Sequence, residues 1–286
     1  MRFNTPLRYP GGKGKLSGFI ERLLNFNELS DIHYAEPYAG GAGLAFKLLF
    51  NGYAKQLYLN DINLSVYAFW YSVLNDSEKL CSLISSTTVD MDQWHKQKKI
   101  IASPEEHDLL TLGFAIFFLN RTNRSGILKG GVIGVKEQSG LWKLDARYNK
   151  KDLIARINAI ANVSDKIDIY NMDASDFIDK IVKNIPSNSL TYLYPPYYVK
   201  GKGLYENHYK HDDHYRIANK VTAEIKTPWL VSYDNNIEIN KMYDGCPKLT
   251  YGINYSAQQR YMGSEVMFFS KDLRIPKTNC SSKLLK

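Results

Sequence analysis

Cysteine is scarce in this chain, and long apolar runs are missing. Three cysteines occur in 286 residues, Cys81, Cys246 and Cys280, and they form no CxxC pair. An odd number of widely spaced thiols argues against a disulfide scaffold and indicates a reducing compartment. The longest apolar stretch, residues 112–119, is much shorter than the roughly 18 residues of a membrane-spanning helix, and the N-terminal residues lack a signal-peptide apolar segment. We therefore expect a cytoplasmic protein outside the membrane.

Signatures of metal sites and diphosphate loops are also missing. Neither GxxxxGK[ST] nor GxGxxG is matched, and there is no Ser/His/Asp or Cys/His nucleophile pattern. HDDH at 211–214 offers possible metal ligands, but these residues are adjacent at the start of a predicted helix, where Asp212 or Asp213 suits the N-cap. We expect no metal.

Charge and composition indicate a folded protein with one basic segment. The chain has 37 Lys and Arg against 29 Asp and Glu, a net charge of +8, and is 44% hydrophobic, which excludes a disordered or fibrous chain. Residues 121–151 hold eight basic residues, two acids and five glycines. Such a segment suits contact with phosphates and base edges, and the alternative is a solvated surface face. The candidate contact residues are Asn120, Arg121, Asn123, Arg124, Lys129, Lys136, Trp142, Lys143 and Arg147.

Short apolar runs alternate with helical stretches, which predicts an α/β sheet with helices on both faces. Residues 64–119 are predicted to be mostly helical, with one helix starting at Ser103-Pro104. This helical block and the basic segment interrupt the α/β pattern. We therefore assign residues 1–64 and 151–275 to the sheet domain, 65–150 to a recognition insert and 276–286 to a basic tail.

Two predicted strands end in residues that suit a nucleoside ligand. EPYAGGAG at 36–43 follows the first strand, and Asp61 follows the second. Glycines let the backbone come close to a ligand, and a carboxylate about 20 residues further on can bind the hydroxyls of its ribose. Without a diphosphate loop, an adenosyl ligand fits better than NAD or ATP, and a sulfonium suits the surroundings of Glu36. The alternatives are a structural turn and an N-cap role for Asp61.

Another predicted strand stops at Tyr194-Pro195-Pro196-Tyr197. Proline cannot continue a strand ladder, so the chain leaves the sheet there and presents aromatic rings beside a carbonyl released from strand pairing. An ordinary strand exit is the alternative.

The order of the motifs resembles that of Dam-type N6-adenine DNA methyltransferases along nearly the whole chain. The motifs are RYPGGK at 8–13, EPYAGGAG at 36–43, NDIN at 60–63, NMDASDF at 171–177, PPY at 195–197, KGKGLYENHY at 200–209, VSYDNN at 231–236 and GSEVMFFS at 263–270. The resemblance implies a Rossmann-like, seven-stranded S-adenosylmethionine-dependent methyltransferase sheet with a helical and hairpin target-recognition insert. It also implies a site-specific modification enzyme of duplex DNA, of the bacterial or phage restriction–modification kind.

The resemblance assigns roles to individual residues. The implied cofactor-binding residues are Tyr9, Lys13, Glu36, Pro37, Tyr38, Ala39, Gly40, Asp61, Ile62 and Asp173. The implied catalytic residues are Tyr194, Pro195, Pro196 and Tyr197. Tyr197 would stack on an adenine flipped out of the duplex, and the Pro195 carbonyl would accept a hydrogen bond from its N6 amino group.

Tyr194 departs from this family's pattern. The family has Asp or Asn at this position, as a second acceptor for the N6 amino group. A phenol is larger and uncharged at pH 7, so the sequence predicts impaired turnover. The rival hypotheses are an inactive cofactor- and DNA-binding relative, and a methyltransferase acting on RNA or small molecules.

Overall fold

The computed structural model describes residues 5–8, 16–198, 209–255 and 261–277. Within these ranges the helices, in chain order, are α1 (Ser17–Phe26), α2 (Gly43–Phe50), α3 (Leu64–Asn75), α4 (Ser77–Ser86), α5 (Met91–Ala102), α6 (Leu109–Thr122), α7 (Lys150–Ala161), α8 (Ala174–Lys180), α9 (His211–Glu224) and α10 (Ile237–Met242). The strands are β1 (Ile32–Glu36), β2 (Ala54–Asn60), β3 (Ile167–Tyr170), β4 (Ser189–Leu193), β5 (Trp229–Asp234), β6 (Lys248–Tyr255) and β7 (Tyr261–Phe269).

The chain divides into two units. The first takes its described residues from Met1–Gly12 and Asn63–Asp165, and the second from Lys13–Ile62 and Lys166–Lys286. The first unit holds helices α3 to α7, and the second holds all seven strands with the other helices.

The second unit contains one seven-stranded sheet in the order β3-β2-β1-β4-β5-β7-β6. The first five strands in chain order are parallel to one another, and β7 is antiparallel to both β5 and β6. Every residue of β4 and β5 is buried, as expected for central strands that are covered on both faces. The predicted seven-stranded, Rossmann-like α/β sheet is confirmed.

In the first unit, α3 and α6 pack closely because a glycine lies at their crossing. A Cβ on Gly113 would lie 2.6 Å from the carbonyl oxygen of Ala68, so only glycine permits this approach. Phe69 and Phe117 stack with ring centroids 5.7 Å apart. From Leu112 to Thr122 every residue of α6 is buried, which makes α6 the central helix of this unit.

Helix α7 belongs to the first unit, whereas the sequence-based boundary assigned residues from 151 onward to the sheet domain. The Nζ atom of Lys150 donates to the carbonyl oxygens of Ser85 at 2.7 Å and Thr87 at 2.8 Å, and a lysine often binds the last carbonyls of a helix in this way. Since Ser85 and Thr87 lie at the end of α4, these bonds join α7 to that helix.

The predicted helix start at Ser103 is wrong. Pro104–Glu106 forms a single 3-10 turn, and α6 begins at Leu109, where the Asp108 side chain accepts from the Thr111 amide at 2.8 Å. Aspartate is the stronger cap here because its carboxylate also accepts from the Thr111 hydroxyl. Within the described part of the chain, no helix combines the length and apolar character needed to cross a membrane.

Candidate active site

The strand order reverses beside β1, where β2 lies on one side and β4 on the other. In parallel α/β sheets, ligands bind outside the carboxyl ends of the strands at such a reversal. Glu36 ends β1 and Leu193 ends β4, so the glycine-rich turn and the double proline both leave the sheet at this edge. The structure therefore brings together two of the motifs that the sequence analysis selected.

The glycine-rich turn is held by the residues that follow β2. The amide of Gly40 donates to Asp61 Oδ2 at 2.9 Å, and the Ala39 amide donates to the carbonyl oxygen of Asn60 at 2.8 Å. Gly40 has a φ of 49°, a backbone conformation that favours glycine. Asn63 caps α3, so the alternative that Asp61 is the N-cap is wrong.

Asn60 is a residue of this site that the sequence analysis missed. Its buried side chain donates to the carbonyl oxygens of Pro37 and Met172, both at 3.0 Å, and accepts from the Met172 amide at 3.1 Å. One amide therefore joins the loops that follow β1, β2 and β3. An asparagine at the end of an apolar strand, directly before Asp61, was the available signal.

Glu36 is buried at 6% exposure and accepts a hydrogen bond from the Tyr34 hydroxyl at 2.9 Å. Burial raises the pKa of Glu36 to about 8, although the bond from Tyr34 acts in the opposite direction. The carboxyl group is therefore mostly protonated near pH 7. A cation bound nearby would favour its charged form.

The other predicted cofactor residues are distributed around the same edge. Asp173 caps α8 by accepting from the Ser175 amide at 2.8 Å, and the Tyr38 hydroxyl lies 2.9 Å from that of Tyr209. Ile62 is 47% exposed. Tyr9 and Lys13 lie outside the described residues.

Tyr194 and Tyr197 form a hydrogen-bonded pair after β4. The hydroxyl of Tyr194 donates to that of Tyr197, which in turn donates to Glu265 Oε1 at 2.6 Å. Tyr197 is only 3% exposed, so a base can stack on its ring only after the surrounding residues move. Pro195 is buried, Pro196 is half-buried, and Asp234 fixes the chain beyond them by accepting from the Tyr198 amide at 2.9 Å.

Glu265 is a second residue that the sequence analysis did not select. It is completely buried in β7, where the chain reads GSEVMFFS. A charged residue inside an apolar strand is rarely buried without partners, so its position was a signal that polar groups converge there.

Three of the predicted DNA-contacting residues, Asn120, Arg121 and Asn123, are buried. The side chain of Asn120 accepts from the Arg8 amide at 2.7 Å and donates to the Arg8 carbonyl oxygen at 2.6 Å. Arg121 Nε donates to the carbonyl oxygen of Pro6 at 2.7 Å, and burial followed by repulsion from nearby arginines lowers its pKa to about 9. These side chains therefore hold the segment at residues 5–8 and the end of α6. This structural role replaces the direct DNA contact that we expected.

The remaining predicted DNA-contacting residues are exposed: Arg124, Lys129, Lys136, Trp142, Lys143 and Arg147. They lie in the loop between α6 and α7, which Gln138 holds together. Its Nε2 donates to the carbonyl oxygens of Ile133 and Val135, and its Oε1 accepts from the Leu144 amide. The Arg147 guanidinium lies 5.7 Å from the centre of the Trp142 ring. The loop thus presents cations and an aromatic ring on a backbone that the Gln138 side chain bridges.

HDDH at 211–214 begins α9, as expected, but neither aspartate is the N-cap. Lys210 holds that position, and its amide donates to Asp213 Oδ2 at 2.9 Å. His211 Nδ1 lies 2.9 Å from the Tyr198 hydroxyl. Among the described residues, no group of three or more His, Cys, Asp and Glu side chains could hold a metal ion.

Comparison with known proteins gives a family and a set of distantly similar structures. No curated protein matches the chain by sequence. The structure of the rRNA methyltransferase aviRa from Streptomyces viridochromogenes is 11% identical in sequence, with a TM-score of 0.40 over 90% of this chain and 84% of that one.

 The structure of M. capricolum TrmK in complex with S-adenosyl-homocysteine is 9% identical, with a TM-score of 0.35 over 87% of this chain and 68% of that one. The rRNA substrate of the first and the bound ligand of the second are properties of those proteins.

The sequence match to a family is extensive. Residues 9–262 match the D12 class N6 adenine-specific DNA methyltransferases, a range that includes both the sheet and the basic loop. The chain therefore belongs to the D12 class N6 adenine-specific DNA methyltransferase family, and its cofactor is S-adenosylmethionine.

Proposed function

We propose that this chain transfers a methyl group from S-adenosylmethionine to N6 of an adenine flipped out of duplex DNA, as a site-specific, cytoplasmic modification enzyme of the restriction–modification kind. Family membership over residues 9–262 carries this proposal. The exposed basic loop supports DNA as the substrate, because a duplex presents a dense row of phosphates.

The carboxyl edge of the sheet suits the cofactor. Gly40 has no side chain, so the backbone there can lie close to a bound cofactor. Asp61 fixes the turn by accepting from the Gly40 amide. We propose that Glu36 to Gly40 hold the methionine and ribose end, that Asp61 and Ile62 contact the ribose, and that Asp173 lies near the adenine or amino group. When bound, the cofactor supplies an electrophilic methyl group on a positively charged sulfur.

The chain's own part in the chemistry is to hold the adenine amino group. Its N6 lone pair is delocalised into the ring, so acceptors that bind both N6 hydrogens favour a localised, nucleophilic nitrogen. The carbonyl of Pro195 is one proposed acceptor, because β4 ends at Leu193 and Pro195 lies beyond the paired part of the strand. Tyr194 occupies the position of the other.

DNA binding is assigned to the loop between α6 and α7. Its exposed cations would neutralise phosphates, and Trp142, 62% exposed, would contact a groove or a base. Asn120, Arg121 and Asn123 would act indirectly, by fixing the backbone from which this loop starts.

An inactive cofactor- and DNA-binding protein is the second candidate, and Tyr194 is the observation that favours it. A phenol in place of Asp or Asn weakens the acceptor if nothing else in the protein compensates. The two candidates differ in turnover and agree in binding.

Single-turnover methylation with labelled S-adenosylmethionine separates these functions. The full chain is incubated with mixed-sequence duplex DNA, with a duplex built only from dG and dC, and with RNA of matched sequence. We expect label in the first substrate alone. Binding of DNA and cofactor without label in any substrate would support the inactive protein, and label in RNA alone would refute DNA as the substrate.

A further inference from the structure

A completely buried carboxylate, Glu265, lies beside the proposed acceptor position. Glu265 is in β7, where it pairs across the sheet with Asp234 of β5 and with Tyr251 of β6. Its exposure is 0%. Burying a charge is costly unless the group is hydrogen-bonded or paired, so the partners of this carboxylate decide what it does.

Three phenols surround Glu265. Tyr251 donates to Oε2 at 2.6 Å and Tyr197 donates to Oε1 at 2.6 Å. The Tyr194 hydroxyl lies 3.4 Å from Oε1 and donates to the hydroxyl of Tyr197. Both carboxylate oxygens are therefore satisfied by phenols, which is the arrangement that permits a buried negative charge.

The proton of each hydroxyl is fixed by this arrangement. A carboxylate can only accept, so Tyr197 must use its one proton on Glu265. Tyr194 then directs its own proton into the same cluster, to Tyr197 or to Glu265 Oε1. Toward any further partner the oxygen of Tyr194 can therefore act only as an acceptor. Each phenol that donates toward a negative charge also becomes a better acceptor, because hydrogen bonds in a chain polarise one another.

We propose that Glu265 is a positioning residue that orients and polarises Tyr194 through Tyr197, so that the phenol oxygen of Tyr194 accepts a hydrogen bond from the N6 amino group of the adenine. This inference rests on the proposed methyl transfer to adenine. It replaces the Asp or Asn acceptor of the family pattern with a phenol oxygen that is supported by a buried carboxylate. Tyr194 would then be a working catalytic residue, and turnover would not be impaired in the way that the sequence predicts.

A set of variants of the full chain tests this inference by single-turnover methylation of duplex DNA. Glu265→Gln keeps the shape of the side chain and removes its charge. We expect it to lower the rate by at least about tenfold, and Tyr194→Phe to do the same. The double variant should be no more than about threefold slower than Tyr194→Phe alone, because both changes act on one acceptor. Affinity for DNA and for the cofactor should stay close to that of the unchanged protein.

Two controls separate positioning from general structural damage. Tyr251→Phe removes another phenol from the same carboxylate without touching Tyr194 or Tyr197, and it should lower the rate less than Glu265→Gln does, because the carboxylate and its bond from Tyr197 remain. In a Tyr194→Asp background, Glu265→Gln should also change the rate by less than about threefold, because the new carboxylate needs no polarisation. Thermal melting of each variant confirms that it is folded.

The outcomes distinguish this inference from the proposed function. If the unchanged chain is inactive and Tyr194→Asp methylates DNA, the methyltransferase assignment stands and the phenol is not a working acceptor. If Glu265→Gln slows methylation equally in the Tyr194, Tyr194→Phe and Tyr194→Asp backgrounds, Glu265 is merely structural and the inference is overturned. If no variant methylates although all bind DNA and cofactor, the proposed function and the inference are both wrong.

Discussion

Asn123 and Arg124 are neighbours in the sequence, and the structure predicts opposite consequences for their removal. Asn123 is completely buried. Its Oδ1 accepts from Trp94 Nε1 at 2.7 Å, and its Nδ2 donates to the carbonyl oxygens of Ile127 and Leu128 at 2.9 and 3.0 Å. Arg124 is exposed. We therefore expect Asn123→Ala to affect stability and Arg124→Ala to affect DNA binding.

The magnitude follows from the groups left without partners. Each buried polar group that loses its hydrogen bond costs about 1–3 kcal/mol, and Asn123→Ala affects three of them. Allowing for water that enters the space, we expect a loss of about 3 kcal/mol or more, and a fall in Tm of about 6 °C or more for a protein of this size. Arg124→Ala should change the free energy of unfolding by no more than about 0.5 kcal/mol.

Thermal melting measures the first effect, and fluorescence anisotropy of labelled duplex DNA at several salt concentrations measures the second. Arg124→Ala should reduce the slope of log affinity against log salt by about 0.9 if one phosphate contact is lost. If Asn123→Ala melts like the unchanged protein but relaxes the preference for one base, then Asn123 reads DNA directly and the structural role is wrong.

Three further predictions concern the cofactor edge and the helix packing. Folded Glu36 keeps its proton up to pH about 8, whereas the unfolded chain releases it near 4.5, so the free energy of unfolding and the Tm fall as pH rises through this range. Glu36→Gln should remove this fall in Tm. The same variant should weaken cofactor binding at pH 8, as measured by calorimetric titration. Asp61→Ala should weaken S-adenosylmethionine binding by about tenfold or more, since one charge-assisted hydrogen bond contributes about 1.5–3 kcal/mol, and unchanged affinity would limit Asp61 to holding Gly40. Gly113→Ala should destabilise the protein by about 1–3 kcal/mol in chemical denaturation, because α3 and α6 must separate, whereas Gly18→Ala in α1, whose Cβ meets nothing closer than 3.8 Å, should be neutral or slightly stabilising.

The α/β sheet was predictable because its signals are local. Strands β4 and β5 read as short apolar runs, and the glycine-rich turn and the double proline mark where strands end. Parallel strands then bring those ends to one edge. The start of α6 was less predictable, because Ser103-Pro104 and Asp108 are both plausible helix starts and the stronger cap prevailed.

The roles of the residues at the end of α6 could not be read from residue type alone. Asn120 and Arg121 are polar and stand at the start of a basic segment, which suggests exposure. Their partners Arg8 and Pro6 lie more than 100 residues away in sequence, so local patterns do not reveal them. One signal was available: Asn120 and Arg121 follow Ile116 and Phe117 by four residues, and such pairs share a helix face.

Glu265 illustrates the same difficulty in a strand. Its residue type indicates a charge, and only the sheet register shows that Tyr251 stands opposite it. The link to Tyr194 depends on β4 and β7 lying on either side of β5, which the order of the strands in the sequence does not give. The chemistry of Tyr194 therefore had to be judged from its surroundings and not from its side chain alone.

The identity of the methylated nucleoside tests the proposed function most directly. Duplex DNA is incubated with the full chain and S-adenosylmethionine, digested to nucleosides and analysed by mass spectrometry. We predict N6-methyl-2′-deoxyadenosine as the product, at adenines within one recognition sequence. Methylation of cytosine, or methylated nucleosides from RNA while DNA remains unmodified, would contradict the proposed function.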